Sequence, residues 1–207
     1  MAVLKDSVDL DSGRWDAQNN LLLFLPDTYE VYWTVAPKVF VERMRGEYRR
    51  FWSPERIKRA QAQGLSPREA LILASIIEEE TQYEAERPRI AGVYLNRLRI
   101  GMPLQADPTI KFALGRFDLR RIGLDHTLTV SPYNTYRRTG LPPGPVCVPS
   151  KNALRAVLAP ENHSFLYFCA DPLRAGTHRF ATTFAEHTRN AQLYRKSLDR
   201  RGVKIQS

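Results

Sequence analysis

The stretch Ser66-Pro67-Arg68-Glu69 constrains this 207-residue chain more tightly than any other. A serine at the cap, a proline in the first turn and a glutamate three residues after the cap make a capping box, in which side chains satisfy amides that a helix start leaves orphaned. The helix that follows is expected to run from about Pro67 to Gln82. It carries the apolar run Leu71 to Ile77 and ends in three adjacent carboxylates, Glu78-Glu79-Glu80, before Thr81. A helix turns about 100° per residue, so positions three, four and seven apart share a face. Ala70, Leu73, Ile76 and Ile77 then form one apolar stripe, and Glu80 continues it. Glu78 and Glu79 fall toward the polar flanks, where solvation is the expectation for both. For Glu80 the choice lies between burial and pairing with a nearby arginine such as Arg97 or Arg99.

A carboxyl in apolar surroundings is disfavoured in its charged form, so its pKa rises. A group of that kind holds a proton near neutral pH and delivers it to a leaving oxygen. Glycosidic cleavage is one reaction that needs it, normally with a second carboxylate as base or nucleophile. Glu84, Glu86, Asp107 and Asp27 are candidates for that second group, and a mechanism with a single acid stays open, because spacing does not say which of them reaches Glu80.

The remaining elements group around this helix. A second helix is expected from Pro88 to Arg99, with Ile90, Val93, Tyr94 and Leu98 on one side and Gly101 as its stop. Upstream, "LLLFLPDTYEVYW" reads as a strand, a turn and a strand, and Pro37 to about Gln63 as one helix. From Met102 to Pro149 the chain is rich in Pro, Gly, Asn and Thr, a composition that more often builds a functional surface than regular structure. Ser150 caps an expected helix ending before Pro160, and "SFLYFCA" and "THRFA" read as a hairpin joined by "DPLRAG". A last helix is expected over Thr183 to Leu198. Helices with short, locally paired strands define an α+β class, in one domain from residue 20 to 207 behind a weakly defined segment of residues 1–19.

Composition excludes more than it selects. A hydrophobic content of 43% with 26% charged residues is that of a folded domain. The net charge of +9 suits a polyanionic partner, yet no nucleic-acid motif accompanies it. No apolar run is long enough to span a membrane, and the start lacks a signal-peptide core, so the chain reads as soluble and without an export address. No cofactor or metal pattern is present: His126, His163, His178 and His187 lack ligand spacing, and there is no G-x-S-x-G elbow or glycine-rich phosphate loop. His178 and His187 read as structural or substrate-contacting. Cys147 and Cys169 have the partners to form a pair, but read more readily as small buried apolar residues.

The ordered motifs "FLPDTYEVYW", "LASIIEEET", "VYLNRLRIGMPLQADPT", "SPYNTYRRTGLPPGPVCVPS", "FLYFCAD" and "GTHRFATTFAEH" resemble the catalytic domain of the YceG-like endolytic murein transglycosylases, MltG, over residues 20 to 198. The resemblance implies a lytic transglycosylase acting on nascent peptidoglycan strands between N-acetylmuramic acid and N-acetylglucosamine, leaving a 1,6-anhydro end. It also implies that the catalytic glutamate is the one before Thr in E-x-E-T, which is Glu80, acting as acid and then as base. Gln105, Asp107, Thr109, Asn134, Tyr136 and Thr139 are candidates for lining the cleft, with loop architecture as the alternative role for each. Peptidoglycan polymerases at the membrane are implied partners, nucleic acid is not, and the implied location is the outer face of the cytoplasmic membrane. Family members carry a membrane helix and a LysM-like domain upstream, and neither is recognisable here. A non-catalytic peptidoglycan-binding module, a hydrolytic muramidase and a nucleic-acid-binding protein are the competing readings.

Overall fold

The computed structural model describes residues 22–119 and 121–200; the segment 1–19 read as weakly defined lies outside them. The chain order is α1 (Pro37–Phe51), α2 (Pro54–Ala62), α3 (Pro67–Glu80), a single 3₁₀ turn at Glu84–Glu86, α4 (Arg87–Arg99), α5 (Asp107–Leu114), α6 (Leu124–Thr127), α7 (Lys151–Leu158), β1 (Tyr167–Ala170), β2 (His178–Ala181) and α8 (Phe184–Arg200). Helices beside one small antiparallel sheet make this an α+β fold.

The capping box stands as expected: Ser66 Oγ accepts from the Glu69 amide at 3.2 Å, and Glu69 Oε2 accepts from the Ser66 amide at 2.8 Å. It launches the central helix. Every residue of α3 from Ala70 to Ile77 is buried, not only the stripe. A helix that is buried all round must be surrounded by other elements, and α3 packs against α7, α4, α5 and α2. Ser75 is tolerated in this core because its hydroxyl donates to Ile72 O at 2.7 Å and accepts from the Val146 amide at 3.0 Å.

Two upstream expectations are corrected. The single helix from Pro37 to Gln63 is two, because Pro54 cannot continue a helix and Ser53 instead caps the next one, accepting from the Arg56 amide. The strand-turn-strand around Pro26 is replaced by a short 3₁₀ turn and irregular chain. Leu22, Leu23 and Leu25 enter the core directly, each at most 2% exposed. Among the described residues the only sheet is the two-stranded hairpin, so these residues have no strand edge to join.

That hairpin pairs Tyr167 with Ala181 and Ala170 with His178, as an antiparallel ladder. It is lashed to α4. Asn96 Nδ2 donates to His163 O and Phe165 O at 2.9 and 3.0 Å, and Arg97 Nε donates to Leu166 O at 2.6 Å. Contact is closest at Gly92, where a Cβ would lie 2.6 Å from both Glu161 O and the His163 ring. Only glycine lets the chain pass there.

The Pro/Gly-rich stretch is mostly irregular, although it also contains α5, which begins at Asp107-Pro108 and was expected to be loop. Its second half runs along α3. Arg68 donates to Pro143 O at 2.7 Å, and Cys147 Sγ contacts Ser75 O at 3.3 Å. Cys147 and Cys169 are both free thiols, and burial pushes the Cys147 thiol up to about 12.

Candidate active site

The three carboxylates that end α3 have three different surroundings. No basic residue occupies the last turn of α3, so the negative end of the helix gives none of them local support. Glu79 is exposed. Glu78, expected in solvent, is instead paired: Arg87 Nη2 donates to its Oε1 at 2.8 Å and the Ser150 amide donates to its Oε2 at 3.0 Å. It thereby joins the end of α3 to the starts of α4 and α7.

Glu80 is half-buried, and it is the one whose charged form burial disfavours. Tyr94, fully buried on α4, donates its hydroxyl to Glu80 Oε1 at 2.5 Å. Desolvation raises the Glu80 pKa to about 7; the Tyr94 hydrogen bond opposes the rise, the negative charge of Asp107 adds to it, and Lys111 and Arg97 pull against it. The arginines that the sequence offered as partners are engaged elsewhere. Arg97 donates to the carbonyls of Leu166 and Leu104, at 2.6 and 2.7 Å, and Arg99 donates to Asn96 and Gln63.

Glu80 borders two cavities. One, of about 340 Å³, is lined by Tyr94, Arg97, Gln105, Asp107, Tyr136 and His187, with Leu104 and Phe168 as apolar wall. The other, of about 1000 Å³, lies between the 3₁₀ turn and the β1–β2 turn, and is lined by Tyr83, Glu86, Arg89, Arg174 and His178 among others. An acid at the junction of two spaces can protonate a bond whose substituents extend into both.

Of the six residues read as cleft-lining, the structure brings Gln105, Asp107 and Tyr136 into the smaller cavity beside Glu80. Tyr136 donates its hydroxyl to Asp107 Oδ1. Asp107 is raised, first by burial, with the Tyr136 hydrogen bond and the charges of Lys111 and Arg121 holding it back. Gln105 adopts φ 50°, a left-handed backbone that a residue with a Cβ rarely takes and that clusters at functional sites. Its amide donates to Thr135 O at 3.0 Å, which fixes the bend.

The other three are not brought to Glu80. Thr109 is fully buried and its hydroxyl is used within the fold, donating to Ala106 O at 2.7 Å and meeting Thr135 Oγ1 at 2.8 Å. Asn134 is buried and ties the loop to itself, donating to Thr127 O and Thr129 O and accepting from the Tyr136 amide. Thr139 is exposed and lines neither cavity. Of the candidate second carboxylates, Asp107 alone shares the smaller cavity. Glu86 lines the larger one but is held by His178 Nδ1 at 2.8 Å, Asp27 pairs with Lys151, and Glu84 accepts from Asn152.

Sequence reasoning did not find Tyr94, Arg97 and Phe168 as site residues. Tyr94 falls on the apolar face of its helix, and nothing in the periodicity separates a core tyrosine from one whose hydroxyl reaches a carboxyl. A tyrosine on that face still needs a partner for its hydroxyl when buried, and that is the signal that was available.

The model of the YceG-like family matches residues 5–193. An endolytic murein transglycosylase of Bacillus subtilis (strain 168) is 40% identical over 130 residues, covering 63% of this chain and 35% of that protein. An endolytic murein transglycosylase of Streptococcus pneumoniae serotype 2 is 32% identical over 170 residues, 80% of this chain and 30% of that one. The chain thus spans about a third of the length of these curated relatives. A crystal structure of a putative YceG-like protein from Listeria monocytogenes superposes with a TM-score of 0.69 at 33% identity, over 81% of this chain and 54% of that one.

Proposed function

The chain belongs to the YceG-like family, and from that premise we propose that it is a lytic transglycosylase that cuts peptidoglycan glycan strands internally, with Glu80 as its acid and then its base. The observation that carries this reading is a carboxyl poised at about 7 at the junction of two cavities. Protonated Glu80 donates to the glycosidic oxygen as the bond from that oxygen to the muramoyl anomeric carbon breaks. The strand leaves with a free hydroxyl, and the anomeric carbon carries oxocarbenium-like charge. The muramic 6-hydroxyl then attacks that carbon, and its proton returns to the Glu80 carboxylate. No water is consumed and Glu80 ends protonated, as it began. The Tyr94 hydroxyl stays on Oε1 throughout, steadying the carboxylate between the two transfers.

The substrate class follows from this reading: glycan strands of peptidoglycan, with the basic surface of net charge +9 suited to an anionic wall polymer. Placement at the cell envelope near the glycan polymerases belongs to the same proposal. No described helix is long and apolar enough to cross a membrane. The hydrolytic reading keeps one specific support, because Asp107 gives the smaller cavity a second carboxylate of the kind a muramidase would use to activate water. Product chemistry separates the two. Mass spectrometry of fragments released from purified uncrosslinked strands is expected to show anhydro ends, and reducing ends would assign the site to hydrolysis.

The acid role sets the pH dependence. A general acid works in its protonated form, so kcat/KM is expected to decline as pH rises through about 7. Tyr94 stabilises the charged form of Glu80, so removing its hydroxyl raises the Glu80 pKa further. In Tyr94→Phe the alkaline limb of the profile is expected to move to higher pH. A limb that stays in place would show that another group controls it.

A further inference from the structure

The proton transfers are carried by one carboxyl, yet the smaller cavity is lined by two, Glu80 and Asp107. Their settings differ. Glu80 ends α3 at the negative pole of that helix, whereas Asp107 opens α5, where the positive pole favours a carboxylate. The Tyr136 hydroxyl donates to Asp107 Oδ1, and Lys111 and Arg121 add positive charge nearby, while burial works against the charged form. Oδ2 has no hydrogen bond among the described residues, and it is not one of the buried atoms closed off without a partner. One carboxylate oxygen of Asp107 is therefore open to the cavity that Glu80 borders.

The reaction needs an anion there. As the glycosidic bond breaks, positive charge builds on the anomeric carbon, and a fixed negative charge beside it lowers the barrier. Arg97, the arginine lining this cavity, has the wrong sign and is held by the carbonyls of Pro103, Leu104 and Leu166. His187 also lines it, and burial holds its pKa below the usual imidazole range, so the ring brings no charge near pH 7. Resting on the transglycosylase reading, we propose that Asp107 is a second catalytic residue, whose carboxylate faces the anomeric carbon through Oδ2 and stabilises its oxocarbenium-like charge while Glu80 transfers the protons. Asp107 forms no bond to carbon and moves no proton. The bonding pair leaves with the glycosidic oxygen, and the 6-hydroxyl closes the anhydro ring. Tyr136, by holding Oδ1, is the positioning residue for Oδ2.

The pH profile then has two limbs, since turnover requires Asp107 ionised and Glu80 protonated. Glu80 feels Tyr94, Asp107, Lys111 and Arg97, and Asp107 feels Tyr136, Lys111 and Arg121. The Asp107 charge raises the Glu80 pKa, so removing it lowers that pKa.

The test measures release of anhydro ends from uncrosslinked strands across pH, with thermal melting, for the whole chain and for Asp107→Asn and Asp107→Glu. Asparagine keeps the shape and the acceptor for Tyr136 but not the charge. In Asp107→Asn the maximal kcat is expected to fall about 10²- to 10³-fold. Its acid limb is expected to vanish and its alkaline limb to move to lower pH, with anhydro products and melting temperature retained. Asp107→Glu keeps the charge and is expected to recover part of the activity together with the acid limb. An alkaline limb that moves while activity on the acid side stays parental would overturn the proposal, reducing Asp107 to a charge that tunes Glu80. So would a profile identical to the parent's, or a loss that tracks a fall in melting temperature with no recovery in the glutamate variant. Each of these leaves the transglycosylase reading standing, because the parent still releases anhydro ends. Reducing ends from the parent would overturn both and give Asp107 to the activation of water.

Discussion

Glu80→Gln is expected to abolish release of anhydro-ended fragments and at the same time make the protein harder to unfold at alkaline pH. The two effects share one cause. Glutamine keeps the shape and can still accept the Tyr94 hydroxyl, but it neither gives a proton to the glycosidic oxygen nor takes one from the attacking hydroxyl. General acid or base catalysis each contribute about 10²- to 10⁴-fold, and here one residue performs both, so a loss of about 10³-fold or more is expected in kcat. The stability effect follows from linkage. The folded-state pKa of Glu80 is raised to about 7 from an ordinary 4.5, so the folded protein binds this proton more tightly than the unfolded chain does. Stability from this group is therefore complete at low pH, falls as pH rises from the unfolded value toward 7, and stays lost above it. A neutral amide escapes that penalty, worth about 1–3 kcal/mol at pH 8 and several degrees in Tm for a domain of this size. Loss of turnover with gain of stability is the pattern of a site that sacrifices folding energy for function. A glutamine variant that turns over strands at the parental rate would remove Glu80 from the mechanism, and one that melts earlier than the parent at every pH would remove the desolvation argument.

The parts of this fold that were legible in the sequence are those written in local chemistry. Ser66 with Glu69, Ser150 before Lys151, and the turn between Cys169 and His178 each signal within a few residues, and each element appears where expected. The direction of Glu80 was legible for a related reason, because helical phase alone places it below Leu73 and Ile76. Tertiary choices were not. Pro54 is not one of these, since Ser53-Pro54 repeats the Ser-Pro start of Ser66-Pro67 and was passed over. Gln105, Thr109 and Asn134 look alike as polar residues of a turn-rich stretch. What separates them is a left-handed bend at Gln105, a hydroxyl network around Thr135 that absorbs Thr109, and an Asx-type turn that absorbs Asn134. His187 shares a helix with many polar residues, and its place beside the cavity exists only once its ring has stacked on Tyr167.

The neighbouring Glu78 answers to a different measurement. Arg87, at 4% side-chain exposure, is buried at the start of α4, and Glu78, at 23%, is its close ionic partner at 2.8 Å. Glu84 approaches the same guanidinium only at 3.8 Å and from solvent. Truncation in Glu78→Ala leaves a buried cation without that partner and takes an acceptor from the Ser150 amide at the cap of α7. Breaking a buried pair from one side costs more than the pair is worth, because the surviving charge stays desolvated; about 3 kcal/mol is expected, or a fall of roughly 6–12 °C in Tm. Raised salt is expected to reduce the difference little, since the pair is shielded from solvent. Glu79→Ala, one residue on and exposed, is expected to lie within about 0.5 kcal/mol of the parent. A Glu78 variant as stable as the parent would show that Glu84 swings in to replace it, and the double variant Glu78→Ala, Glu84→Ala would then reveal the full loss. Three adjacent glutamates thus separate experimentally, one setting stability, one neutral and one setting turnover, because a 100° step per residue points them at a buried arginine, at water and at the cavity junction in turn.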